Sequence, residues 1–517
     1  MIQERIISPR VEFLNGKLVD NKLFNDSIIS ISTQKSIDTF VGTGEIRIIP
    51  NLGSQQTGIS NQIDEWYSNI DLMDVLNLTI EPVTEKQPHW LFKGCVDQCF
   101  RSKTQMNNST NRGVVIRFSD LLSKLLAKDE LAFLAPLIFS ESGNKTVAMD
   151  LNEPRLIKTE NTPDGLFTRD RLAFLSGYCG KGYNNETKQN IFVGGTIDEA
   201  VKYILKNMQG TQIKIIRNGV ETDVTNEIMG SVSISTDPLD AIWKIDLTDF
   251  QGTIYEMLMN VIDQQFYELW IETIQDKSTL FLRRKPFLKE DWDQVQYHTI
   301  EDDEIMDERL GISDYETKSV FRCFNDLEIF GSQSSFAGRY GYNFPLLNAN
   351  AVRKFGLRQM NGHSTVVNTR DMIERNINPD DATDDCNTID FLQSTITRKR
   401  NMLYRWYGYP YFETGQLRIR GNQNIRIGHR VFLPDKRTRS GKLGMMLYVA
   451  GVNQNYSIFQ PFQTSLNVVR GQAEDGSDVQ EYFDMVVGEG SLIGERLAFN
   501  ENDYATEWRK FYGVPAK

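Results

Sequence analysis

The sequence predicts a mainly β protein with an α+β insertion, and three observations carry that reading. Short runs rich in β-branched residues, bounded by turn residues, fill residues 1–130 and return after 301. Helical periodicity is concentrated between them. No repeat matches residue by residue, yet a β-rich unit stands at each end of an α+β middle.

In chain order, Ile28–Ser32, Gly44–Ile49, Asp74–Ile80, Trp90–Val96 and Gly113–Phe118 read as strands, the last running into a helical stretch at Asp120–Leu126. Several short strands with turns between them imply an antiparallel barrel or sandwich. In the middle, Ile197, Ala200, Val201, Ile204, Leu205 and Met208 follow a helical template. Thr196 and Glu199 form a candidate capping box there, and Gly210 a C-terminal stop. Ile254, Met257, Leu258, Val261 and Ile262 predict a second helix, followed by a hairpin of Glu268–Glu272 and Thr279–Leu282 around Asp276-Lys277. Asn325–Gly331 reads as a strand, 333–385 as a long excursion or loop, and 388–406 as a helix. Asp384, Asp385 and Asn387 mark the start of that helix, and Arg398, Lys399, Arg400 and Arg405 lie toward its end. The strands Gly415–Gly421, Asn424–Gly428, Val431–Pro434, Met446–Val452 and Gln463–Gly471 then favour a second small barrel, and 472–517 reads as an acidic tail. The expected partition is 1–130, a first barrel; 131–300, an α+β domain; 301–471, a second barrel carrying the excursion and the helix; and 472–517, the tail.

The chain has 517 residues, a soft prior of three to four domains. With 29 Phe, 19 Tyr and 7 Trp it has ample apolar area to bury, which excludes disorder as its main theme. No run approaches the ~20 apolar residues that a membrane-crossing helix needs. The start MIQERIISPRVEF has no secretory h-region. A net charge of −12 disfavours stable binding to nucleic acid while allowing DNA to slide past an acidic surface. Five cysteines (Cys95, Cys99, Cys179, Cys323, Cys386) do not read as a disulfide framework and point to a reducing compartment.

A search for chemistry yields little. His89, His298, His363 and His429 are widely spread, none pairs at i, i+4, and HExxH is absent. Cys95 and Cys99, four apart on one expected strand, share a face but lack a second ligand pair. Gly177–Gly182 looks like a phosphate loop without its GxxxxGK[ST] spacing, and no GxSxG elbow occurs. The acidic clusters Glu301–Glu304 and Asp380–Asp385 offer paired carboxylates for a glycosidase or a cation, but a solvated loop and a helix start explain them better. The basic turn Lys436–Lys442 reads as a hairpin tip, solvated or docked on a neighbouring subunit. The sequons at Asn25, Asn77, Asn108, Asn144, Asn185 and Asn455 matter only after secretion. No catalytic, cofactor-binding or metal residue is singled out.

The last barrel-like stretch resembles a known family. Gly415 through Gly428, with Gly421-Asn422 at its centre, then Val431–Pro434, Tyr448–Ser457 and Phe462 through Arg470-Gly471, look like the second tube-type barrel of phage baseplate hub proteins. That family includes late control protein D and the hubs of contractile injection systems. Its frequent His before the tyrosine of the penultimate strand is replaced here in the run Asn453–Asn455. More loosely, Ile28–Ile49 and Asp74–Val96 resemble the first tube-type barrel, and Asn325–Gly331 the strand that opens the second. The resemblance implies two tube-like antiparallel β-barrel domains flanking a small α+β domain, in a structural virion protein without enzymatic activity or cofactor. It implies a homotrimer whose six barrels join a sixfold tail tube protein to a threefold central spike protein. Wedge or other surrounding baseplate proteins would enclose it, and DNA or effector would pass through its channel without stable binding. An acidic lumen suits that passage. The implied location is the virion tail baseplate, after synthesis in the host cytoplasm, with no membrane anchor.

Two alternatives stay open on sequence. One is a tail-associated cell-wall hydrolase, although only about 45 residues follow Gly471, few for a further domain of typically 50 or more. The other is a carbohydrate-processing β-protein using the acidic clusters.

Overall fold

The computed structural model describes residues 7–14, 21–50, 56–82, 88–106, 109–128, 130–132, 181–184, 189–192, 195–197, 201, 214–217, 220–223, 229–236, 241–242, 251–287, 289–313, 317–325, 345–364, 366–367, 398–458 and 460–488. The protein is mainly β, with large antiparallel sheets.

The first six main strands are β1 (Ile7–Phe13), β2 (Ile28–Ser36), β3 (Thr43–Ile48), β4 (Val75–Pro82), β5 (His89–Met106) and β6 (Ser109–Asp120). They pair in the order β1-β4-β5-β6-β3-β2. Strict alternation in β1 buries Ile7, Pro9, Val11 and Phe13 and exposes the residues between them. Helix α1 (Gln56–Asn69) lays Ile63 and Trp66 over this sheet, with Ile70 just beyond, at helical spacing. Phe24 packs edge-on against both Phe13 and Trp66.

The middle holds helix α2 (Leu121–Lys128), helix α3 (Ile254–Val261) and the hairpin β7 (Tyr267–Ile274) and β8 (Lys277–Arg284). The strand Met229–Ser235 pairs parallel to β8. Asp120 accepts the Ser123 N–H at the start of α2. Thr253 and Glu256 form a full capping box on α3. Leu269 and Ile271 join Leu122, Leu126 and Leu258 in one core. Trp270, between them, belongs to the core of the next unit. Both faces of β7 are therefore buried, and the two glutamates it carries, Glu268 and Glu272, are buried with its apolar residues.

The later strands are β9 (Tyr297–Thr299), β10 (Ile305–Gly311), β11 (Glu413–Arg420), β12 (Arg430–Arg437), β13 (Leu443–Ser457) and β14 (Gln460–Ala473). They pair in the order β9-β12-β13-β14-β11-β10, the same order as the first six, strand for strand along the chain. The correspondence reaches individual residues. Ile46 and Ile48 match Leu417 and Ile419, Leu76 and Leu78 match Val431 and Leu433, and Ile116 and Phe118 match Leu466 and Val468, all buried. The register shift between Ile28 and Ser30 recurs between Ile305 and Asp307, and that between Val96 and Gln98 recurs between Val449 and Gly451. One difference stands out: β1 runs antiparallel to β4, whereas β9 runs parallel to β12.

Several expectations change. The two units are joined: β2 pairs antiparallel with β13 and merges them into one twelve-stranded sheet. Among the described residues, no pairing closes either unit. The run Asn424–Gly428 forms turns, not a strand; Ile425 and Ile427 are buried as in a strand but serve a turn-bound core. Within the expected excursion 333–385, the described part contains the short strand Leu346–Leu347, the helix Ala349–Phe355 and the strand Gln359–Ser364. Gln359–Ser364 pairs parallel with Val320–Asn325, an ordering contact no local pattern reveals. The expected tail carries helix α4 (Ser477–Gly488), which docks Tyr482 and Phe483 on aromatic neighbours including Tyr404 and Tyr409. Helix 398–407 is present. The Ile197 helix is described only at Ile197 and Val201, both buried; the rest of it, most of the strand Asn325–Gly331 and the start of the 388–406 helix lie outside the described residues.

Candidate functional site at the seam between the two units

The seam is built on β13. One edge of this long strand carries β14. The other is shared: β12 pairs with its first half and β2 with its second, from Ser30 opposite Ser457 to Ser36 opposite Gly451. Strand β7 closes the inner side, and its residues Glu268, Trp270 and Glu272 face inward by alternation.

Each of the two carboxylates meets cations. Glu272 accepts from Lys35 at 2.9 Å, with both side chains less than 10% exposed, and lies 3.6 Å from Arg426. Arg426 also donates to the Thr273 carbonyl at 2.6 Å. Lys93, buried in the first unit, donates to the Asp276 carbonyl at 2.6 Å, and its backbone N–H to Thr273 Oγ1 at 3.0 Å. Burial pushes the Asp120 carboxyl up to about 6, against the pull of Lys35. Glu268 accepts from the Tyr448 hydroxyl and, at 3.2 Å, from Arg283. Arg283 reaches Tyr448 at 2.6 Å and the Gly428 carbonyl at 3.0 Å. Burial and the Glu268 charge hold the Tyr448 phenol well above its ordinary value. Removing charges from water costs several kcal/mol per ion unless they are paired, so each contact also fixes the position of its neighbours. The arrangement is a set of rivets between three layers.

The solvent side of the seam is a groove of about 540 Å³ lined by Ser32, Gln34, Thr43, Asn453 and Asn455 among others. Register carries one polar row across it: Gln98, Arg117, Glu45, Ser32, Asn455, Gln463 and Arg420 stand opposite one another in turn. Burial disfavours the Glu45 carboxylate, but Arg47 and Arg117 outweigh it and hold its pKa below the usual value. The row is mostly uncharged amide and hydroxyl, not acidic.

The sequence-selected residues fall as follows. His298 and His429 come together, Nε2 to Nδ1 at 3.0 Å, with their rings stacked. Nothing in their spacing, 131 residues apart, signals this; the parallel pairing of β9 with β12 produces it. Burial, then the neighbouring His298, Arg426 and Arg283, lowers His429 to about 3. His89 and His363 lie apart, in β5 and in Gln359–Ser364. Among the described residues no group of three or more His, Cys, Asp or Glu is placed to hold a metal ion. The expected shared face of Cys95 and Cys99 is not observed. The bulge at Val96–Gln98 reverses the alternation, so Val96 and Cys99 face the first core while Cys95 points to the other side, near Lys124. Burial raises both thiols to about 11. Of Gly177–Gly182 only Lys181 and Gly182 are described, in a strand, and Asp380–Asp385 lies outside the described residues. Glu301 caps a short 3-10 turn at Asp302–Glu304. The basic turn is held by its own chain: Lys436 pairs with Glu308 at 2.7 Å and Asp302 at 3.2 Å, and Lys442 with Glu481 at 2.6 Å. Of the sequons, Asn25 accepts the Val11 N–H and Asn77 is buried, both structural uses.

Comparison with known proteins gives no matching family and no matching curated protein. Solved structures do match. A tail protein from Neisseria meningitidis MC58 is 10% identical, with 90% of this chain and 96% of that one covered and a TM-score of 0.45. The 43 kDa tail protein of prophage MuSo2 from Shewanella oneidensis is 12% identical over 89% and 97%, with a TM-score of 0.40. An E. coli component of the type VI secretion system, described as similar to bacteriophage T4 tail proteins, is 5% identical over 90% and 78%, with a TM-score of 0.38.

Proposed function

We propose that this chain is a structural, non-enzymatic component of a phage tail or related injection machine, acting as a central baseplate hub. The observation that carries the reading is the internal duplication: two units of the same strand order, docked edge to edge within one chain. The motif-bearing strands of the hub resemblance, β11 to β14, are the backbone of the second unit. A homotrimer of such chains presents six similar units, which suits a sixfold tail tube protein on one side and a threefold spike protein on the other. Surrounding baseplate proteins would hold the ring, and DNA or effector would pass through it. The polar row of the seam is a candidate lining. On that face, easy passage would come from uncharged amides and hydroxyls and the Glu45-paired Arg117, not from an acidic wall.

The test is the mass of the purified protein by light scattering. A species near three times 59.4 kDa is expected. A strict monomer at all concentrations, together with cleavage of cell-wall polymer by the wild type, would overturn the reading in favour of a hydrolase.

A further inference from the structure

The duplication makes a specific demand. Within the chain, the outer strand of the first unit, β2, occupies the second half of the long strand of the second unit, β13. The counterparts of these two are β10 and the second half of β5. Strand β4 covers β5 only as far as Cys95, and beyond Val96 this edge of β5 carries no strand among the described residues. Among the described residues, strand β10 pairs with β11 and with no other strand. Among the described residues both are edges with unpaired backbone groups, which natural proteins cover or blunt. Both also show apolar side chains to water: Phe100 on one, Met306 and Ile312 at the other.

We propose that β10 of one copy of this chain pairs antiparallel with residues 98–104 of β5 in a second copy, repeating between chains the β2–β13 pairing made within each. This names the contact by which the ring of the proposed function closes, and so rests on that reading. The shared register shifts fix the register. Ser30 corresponds to Asp307 and Ser36 to Ser313, while Gly451 corresponds to Gln98 and Asn455 to Ser102. Ser32 stands opposite Asn455 in the chain, so Arg309 stands opposite Ser102 of the second copy. By the same rule Glu308, which pairs with Lys436 in its own chain, faces Lys103, and Ile312 faces Cys99. The contact is heterologous, because the two edges differ, and the rotation it generates either closes a ring or runs on as a filament.

The test is disulfide trapping. Neighbouring positions in an antiparallel pair alternate between wide and narrow spacing, so two pairs an odd number of residues apart sample both. One variant is Arg309→Cys with Ser102→Cys. The other is Ile312→Cys, which faces the native Cys99. Both are oxidised mildly and run on denaturing gels beside the single variants and the wild type, whose mass in solution is measured in parallel. The expected result is a covalent ladder from the Arg309→Cys/Ser102→Cys double variant that stops at three chains, with no ladder from either of its single variants. If the wild type is trimeric and neither pair links, this edge contact is wrong and the hub reading survives. If the ladder stops at another number or never stops, the edge contact holds and the threefold ring falls. If the wild type is a monomer and nothing links, both fall.

Discussion

The pair Lys35–Glu272 is the most exacting place to test the seam. Replacing Lys35 with Met keeps the aliphatic stem beside Phe92, whose ring centroid lies 5.1 Å from Nζ, but removes the charge. Glu272 is then left buried, with only the longer contact to Arg426 at 3.6 Å. Breaking a buried pair by removing one partner costs roughly 3–5 kcal/mol. Because Arg426 partly compensates, about 3 kcal/mol is expected. Replacing both, Lys35→Met with Glu272→Leu, removes the stranded charge, and such double replacements are often neutral or stabilising by about 1–4 kcal/mol. Arg426 keeps its bond to the Thr273 carbonyl and partial access to water. The assay is urea unfolding followed by tryptophan fluorescence, since Trp270 lies at the seam. At a slope of roughly 1–3 kcal/mol/M, the single variant should lower the midpoint by 1 M or more, and the double variant should recover most of it. A single variant within about 0.5 kcal/mol of the wild type, or a double variant no better than the single, refutes the argument that this pair rivets β2 to β7 at the seam.

Further outcomes are expected. His429 titrates near 3 when folded and near 6.5 when unfolded, so between these values the unfolded chain binds more protons. Stability should fall by a few kcal/mol as pH drops from about 6.5 toward 3, and His429→Gln should flatten the urea midpoint across that window. Gly44 and Gly415 occupy matching places in the two units. A Cβ at 415 would lie 1.8 Å from the Arg309 carbonyl oxygen, so Gly415→Ala should cost about 1–3 kcal/mol and raise amide exchange in β10. Thr253→Ala removes the capping box of α3 and should cost about 1 kcal/mol, read as faster exchange at the Glu256 amide.

The sequence was most legible where one face of a strand is buried and the other wet. The strands at 28–36, 43–48, 75–82 and 413–420 follow from alternation, with boundaries off by a few residues. The helix at 254–261 and the hairpin at 267–284 follow from period and turn chemistry. Misreadings arose where tertiary partners override local pattern. Asn424–Gly428 alternates like a strand, but Ile425 and Ile427 are drawn inward within turns. Gln359–Ser364 carries no strand pattern, yet Val320–Asn325 supplies its ladder. The bulge at Val96 changed which way Cys99 points, and no local rule places a bulge.

Alternation, turn residues and the absence of catalytic spacing by themselves determined a mainly β chain with a β-rich unit at each end. Whether those units stand apart was beyond them, because edge pairing uses backbone groups that every residue carries alike. Only the tertiary structure decided that β2 joins β13, that Lys35 meets Glu272 and that His298 meets His429. These contacts span more than a hundred residues of sequence, and chain topology, not local propensity, brings them together.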